Sequence, residues 1–205
     1  KHMKKQEIIF DGHQFVNGFE KMLKEMNLPN SDKVYWELLK GRPLPRGRFS
    51  EVMDVPIDKA HQIIQQYGEV NKEGEIVGYL GLSLNKTVHQ LNFDNKTLYA
   101  WCAMDSILLP RYLMHRWEII SIDPITDIPV KLSISDNLLE WTRPVPLFIS
   151  WVEKADSCDI KSSFCRHSFF FGSEDAANKW LEKNPLGKIS KVEDFFSNSS
   201  GFKCC

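Results

Sequence analysis

A chain of 205 residues that is 42% hydrophobic and 26% charged can bury one sizeable core or two small ones. Its 26 basic and 27 acidic residues leave a formal net charge of -1, so no global field draws it to nucleic acid or to an anionic membrane. No apolar run approaches the roughly 20 residues of a membrane-spanning helix and no secretory leader is visible, which predicts a cytoplasmic protein. Lys1 and His2 read as an expression remnant ahead of a native Met3.

Residues 13–27 place Phe15, Phe19, Met22, Leu23 and Met26 at helical spacing. Ser31 or Asp32 then stands where a cap is needed for a second helix carrying Val34, Tyr35, Leu38 and Leu39, which Gly41 ends. The stretch GRPLPRGR at 41–48 reads as a turn, Phe49 to Met53 as a short helix, and Pro56 as the opening of a third helix with Ile57, Ala60, Ile63 and Ile64 inward. The segment VNKEGEIVGYLGLSL at 70–84 follows as a hairpin. Helices followed by a hairpin predict a winged-helix-like module over residues 1–84. A DNA reader would present basic or amide side chains on its third helix. Here that helix offers Lys59, Gln62, Gln65 and Gln66 but also Asp58, and the cluster Lys40, Arg42, Arg46 and Arg48 reads as a solvated face.

Residues 85–205 change character. The runs at 87–93, 117–122, 130–135 and 147–152 read as strands. Thr97 is expected to cap a helix running through Trp101 to Leu109, and Ser173 another that ends before Pro185. The fold class is therefore α+β: the N-terminal helical module packs on a mixed or antiparallel sheet region with flanking helices. No internal repeat and no Gly-rich phosphate loop is present, so nucleotide chemistry has no support.

The five cysteines are Cys102, Cys158, Cys165, Cys204 and Cys205, an odd number in a chain large enough to fold without disulfides, so free thiols are expected. Cys102 and Asp105 are three apart on the expected helix, which puts thiol and carboxyl on one face. Spacing alone equally describes a packing thiol and a carboxylate serving the helix dipole. Cys165, in SSFCRHSFFF at 162–171, falls where a polar stretch enters an aromatic strand, and His167 beside it is either an activating base or a structural histidine. No paired CxxC or HxxxH pattern supports structural zinc, and a Cys-His protease would need an oxyanion hole that the sequence does not place.

LYAWCAMD at 98–105 and SFCRHSFFF at 163–171 resemble the two signature regions of the alkylmercury lyase family. LLKGRPLPRGRFSEVMDVP at 38–56 and NKEGEIVGYLGLSL at 71–84 are similar to its N-terminal region, so the resemblance covers most of residues 34–180. It implies that Cys102 and Cys165 are catalytic cysteines and Asp105 a catalytic aspartate, that no organic cofactor is needed, and that the N-terminal module covers the site rather than reads DNA. The implied reaction is protonolysis of a carbon-mercury bond to hydrocarbon and Hg(II), with the ion left at Cys102, Cys165 and Asp105. Low-molecular-weight thiols or a mercuric reductase would then take the ion away. The chain departs from many relatives in carrying Asp123 and Arg166 where they have cysteines, and Cys158, Cys204 and Cys205 have no counterpart. A winged-helix regulator sensing a soft metal through the same thiols is the alternative, distinguished by salt-dependent DNA affinity.

Overall fold

The computed structural model describes residues 7–9, 12–156 and 159–197. A short strand β1 (Glu7–Ile9) precedes helices α1 (Gly12–Glu25), α2 (Ser31–Leu38), α3 (Arg46–Met53) and α4 (Ile57–Tyr67). Their apolar stripes meet in one core, where Phe19, Leu23, Val34, Tyr35, Phe49 and Ile63 are buried together. Neither Ser31 nor Asp32 caps α2. Asn30 holds the cap position, and Ser31 turns inward so that its hydroxyl reaches the Leu28 carbonyl at 3.0 Å and the Tyr79 hydroxyl at 2.9 Å. Ile57, expected to face inward, is 44% exposed at the first turn of α4. Lys40 and Arg48 form ion pairs with Glu37, and Arg46 donates to the Gly74 carbonyl at 2.7 Å, so most of the basic cluster is occupied within the fold.

The expected single hairpin is a three-stranded meander of β2 (Gly68–Val70), β3 (Ile76–Tyr79) and β4 (Leu82–Ser83). Its second turn is only Leu80-Gly81, with positive φ at both residues. The meander does not stop at residue 84. β4 pairs with β6 (Lys96–Ala100), and β5 (His89–Phe93), β7 (Trp117–Ile122), β8 (Pro129–Ser135) and β9 (Leu138–Arg143) complete an eight-stranded antiparallel sheet of order β2-β3-β4-β6-β5-β7-β8-β9. Across it packs α5 (Ala103–Leu113), an apolar helix with ten buried residues. Thr97 lies in β6, so the expected helix begins at Ala103 rather than after Thr97.

The remaining strands form a three-stranded antiparallel sheet of β12 (Phe170–Phe171), β10 (Phe148–Val152) and β13 (Gly187–Lys191), while β11 (Lys154–Asp156) pairs with β1. Between β11 and β12 lie the one-turn helix α6 (Ile160–Ser163) and a 3-10 turn at Cys165–His167. α7 (Glu174–Lys183) is capped as expected by Ser173, whose hydroxyl accepts from the Ala176 N–H, and α8 (Asp194–Ser197) follows β13. The aromatic run after Cys165 supplies the expected core strand, with Phe170 and Phe171 both fully buried. No helix among the described residues is long and apolar enough to cross a membrane.

Asp123 is fully buried in the turn between β7 and β8. Its Oδ1 accepts from the N–H groups of Ile125 and Thr126 at 2.8 and 3.2 Å, and its Oδ2 from the Gly172 N–H at 2.8 Å, tying the large sheet to the end of β12. A buried carboxylate stripped of these bonds leaves three orphaned donors. Asp123→Ala is expected to lower the unfolding free energy by roughly 2–4 kcal/mol, and Asp123→Asn by less, as read from urea midpoints.

Candidate active site

Two segments far apart in sequence meet at the N-terminus of α5. Cys102 is the N-cap residue of that helix, in extended backbone at φ -152°, and its side chain makes no cap hydrogen bond. The first helical N–H groups are satisfied from the Cys165 segment instead: Ala103 donates to the Ser168 carbonyl at 3.2 Å and Met104 to the Ser168 hydroxyl at 2.9 Å. Ser168 also donates its own N–H to the Cys165 carbonyl at 3.1 Å. Ser150 on β10 fixes the same turn, donating to the His167 carbonyl at 2.8 Å and accepting from the Phe169 N–H at 3.1 Å.

These bonds set both sulfurs against one carboxylate oxygen. Asp105 Oδ2 lies 3.1 Å from Cys102 Sγ and 3.6 Å from Cys165 Sγ. All three residues are buried, both cysteines are free, and one ligand atom from each falls within 4.8 Å of the others. The structure thus brings together every residue singled out for chemistry except His167, whose ring accepts from Arg166 Nε at 3.1 Å. Arg166 is exposed and turned to solvent. Cys158, Cys204 and Cys205 lie outside the described residues.

The back of the carboxyl is closed by Gly81. A Cβ there would stand 2.6 Å from Asp105 Cγ, and the backbone already holds φ +97°. The turn is placed from both sides: Tyr35 on α2 donates its hydroxyl to the Leu80 carbonyl at 2.8 Å, and the Trp101 N–H donates to the Gly81 carbonyl at 2.8 Å. Gly81 and Ser168 were not legible as site residues. The sequence signals were a Gly between two short apolar runs and a Ser three after the second cysteine, neither specific by itself.

Burial dominates the electrostatics. It raises Asp105 to about 6, against which hydrogen bonds from the two thiols and the charge of Lys161 pull downward. The Cys102 thiol is raised first by burial, with the Cys165 hydrogen bond offsetting part. The Cys165 thiol stands well above its usual range, first because it gives its proton to a hydrogen bond with Cys102 and then because it is buried. At neutral pH the trio therefore holds two protonated thiols around one largely ionised carboxylate. A cavity of about 420 Å³ opens behind the Cys165 turn between Ser163, His167 and Leu186, and none of the trio lines it.

Residues 82–201 match the family model described as alkylmercury lyase. The chain belongs to the alkylmercury lyase family. An alkylmercury lyase of Bacillus cereus is 34% identical over 143 residues, 69% of this chain and 65% of the relative. One from Staphylococcus epidermidis is 31% identical over 78% of this chain and 74% of the relative, and one from Pseudomonas putida 28% identical over 78% and 76%. The chain thus spans 65% of the length of the Bacillus and Clostridium butyricum family members it matches. In architecture it is similar to MerB2, solved in a mercury-bound form, with a TM-score of 0.75 at 23% identity over 91% of this chain and 94% of that one.

Two outcomes test this geometry. Gly81→Ala forces a methyl group onto the Asp105 carboxyl and is expected to cost about 1–3 kcal/mol of stability. Folding raises the pKa of Asp105, so the folded state holds that proton more tightly than the unfolded chain does. This contribution is complete below about pH 4 and is lost as pH rises through about 6. Asp105→Asn is uncharged at every pH, so it should exceed the parent by up to about 3 kcal/mol at pH 8, with the gap closing in acid. Urea unfolding of both proteins between pH 4 and 8 measures it.

Proposed function

We propose that this chain cleaves carbon-mercury bonds by protonolysis, with Cys102 and Cys165 holding mercury and Asp105 moving the proton. The observation that carries the reading is the single oxygen, Asp105 Oδ2, within reach of both sulfurs. Mercury is a soft ion and prefers thiolates, so a carboxylate in the same site is a poor competitor for it and is left free for proton work.

The atoms balance without an oxidant, a reductant or a cofactor. An alkylmercury cation arrives as a thiol adduct. One cysteine replaces that thiol on mercury, and its proton leaves with the departing thiolate. The second cysteine binds mercury as Asp105 takes its proton. Two thiolates on mercury raise electron density at the bound carbon, and the Asp105 acid delivers the proton there as the carbon-mercury bond breaks. Hydrocarbon leaves, and Hg(II) stays on Cys102 and Cys165 with Asp105 ionised beside it. Two external thiols, or a dithiol carrier such as a mercuric reductase, then remove the ion and return both protons to the cysteines.

The N-terminal helices and the β2-β3 hairpin act in this reading as a winged-helix-like cover. Support comes from Tyr35, which holds the turn that closes the back of Asp105. The occupied basic cluster gives no support to the regulator alternative. The two buried free thiols suit a reducing, cytoplasmic setting.

Incubation of the protein with methylmercury and excess thiol is expected to yield methane. Cys102→Ala and Cys165→Ala should abolish it with the fold intact by circular dichroism, while Cys158→Ala retains most of it. Asp105→Asn should bind Hg(II) but release hydrocarbon at least about a hundredfold more slowly, since positioned acid-base groups contribute about 10²- to 10⁴-fold. Near-parental turnover in Asp105→Asn would assign the proton to water or to a thiol.

A further inference from the structure

Cys102, Asp105 and Cys165 are 0%, 8% and 6% exposed, so an organomercurial reaches them only when a segment of the wall moves. Most of that wall is core: α5 is apolar and buried, and the Leu80-Gly81 turn is held by Tyr35 and Trp101. Helix α6 differs. None of its residues is buried, yet it runs directly into the Cys165 turn through the Phe164 N–H, which donates to the Ile160 carbonyl at 2.8 Å.

One side chain of α6 reaches both β2 and the residue before Cys102. Lys161 Nζ forms an ion pair with Glu69 Oε1 on β2 and sits 4.9 Å from the centroid of the Trp101 ring. Glu69 is itself fixed, because its Oε2 accepts from the buried Ser83 hydroxyl at 2.5 Å. Trp101 directly precedes Cys102, and its buried indole N–H has no hydrogen-bond partner among the described residues. The ring is therefore held by packing and by the ammonium on its face. Trp101 and Lys161 belong to the segments that carry Cys102 and Cys165, and the Lys161 contacts join the helix leading to Cys165 to Trp101 and to the edge strand β2.

We propose that Lys161 and Glu69 are positioning residues that latch α6 over the reactive trio, and that substrate enters when this ion pair opens. The inference rests on the trio being the reaction site. The latch suits a gate because an ion pair whose lysine is half-exposed, with one cation-ring contact, is weak enough to open often, whereas a buried apolar hinge is not.

Accessibility of the two thiols reads the latch directly, without turnover. In a chain carrying Cys158→Ser, Cys204→Ser and Cys205→Ser, Cys102 and Cys165 are the remaining thiols, and neutral iodoacetamide under native conditions labels them at a rate set by opening. Lys161→Met is expected to speed labelling about five- to tenfold with an unchanged urea midpoint, the scale of a lost ion pair and cation-ring contact. Glu69→Gln should act in the same direction, and Lys161→Arg should stay near the parent. Raising salt should speed labelling of the parent but not of Lys161→Met. Unchanged labelling in Lys161→Met overturns the latch. So does faster labelling matched by an equal loss of global stability, since opening would then be unfolding of the whole chain. The cysteine and Asp105 variants assayed for hydrocarbon release test the reaction site separately, so the two ideas fail by different measurements.

Discussion

Two sulfurs and one carboxylate oxygen share one buried volume, and the remaining features of the site follow from that desolvation. Each of the three groups resists charge there: burial raises Asp105 to about 6 and pushes both thiols upward. A site that disfavours a second negative charge keeps its protons until a cation arrives. In the proposed reaction an alkylmercury ion supplies that positive charge and has the soft character that thiolates prefer. In that reaction loss of the thiol protons is coupled to capture of the substrate, and the proton that Asp105 takes from a cysteine lies beside the carbon that receives it.

The architecture serves this convergence. The pairing of β4 with β6 carries the Leu80-Gly81 turn to Trp101, so that a residue without a side chain meets Asp105 where any Cβ would collide. Ser168 supplies both a carbonyl and a hydroxyl to the first turn of α5, which fixes the distance between the two cysteine segments. Ser150 holds that turn from beneath. Each is a small residue at a close approach, and a larger one at any of them would separate the sulfurs from their shared oxygen.

Much of this was legible in the sequence, and the failures have physical causes. The helices carrying Phe19 and Leu23, Val34 and Leu38, and Ile63 and Ile64 announce themselves by period, as β7 and β8 do by alternation. The strands β6 and β9 escape the periodicity because only the turns before them announce them. Both follow an Asp-Asn pair, Asp94-Asn95 and Asp136-Asn137, with positive φ at each residue, the conformation of a two-residue hairpin that these side chains tolerate. Reading that pair at 94–95 would have ended the helix expected from Thr97. At the site, Cys102, Asp105 and Cys165 came from motif resemblance, whereas Gly81, Ser168 and the Lys161–Glu69 pair act through contacts between residues distant in the chain. Sequence periodicity carries no information about such contacts.

The spacing of Cys102 and Asp105 brings thiol and carboxylate together through a different geometry from one shared helix face. A separation of three predicts one face of a helix, but Cys102 is the N-cap and Asp105 the third residue inside. In that relation an N-cap side chain and an acidic side chain face each other across the helix entrance, as in a capping box. In an ordinary capping box the first side chain is spent on the helix N–H groups. Here Ser168 takes over that task from another segment, and the Cys102 thiol is left without a cap bond. A sulfur released from structural duty at the entrance of a helix can, in the proposed reaction, exchange its proton for a metal ion without loosening the helix that carries it.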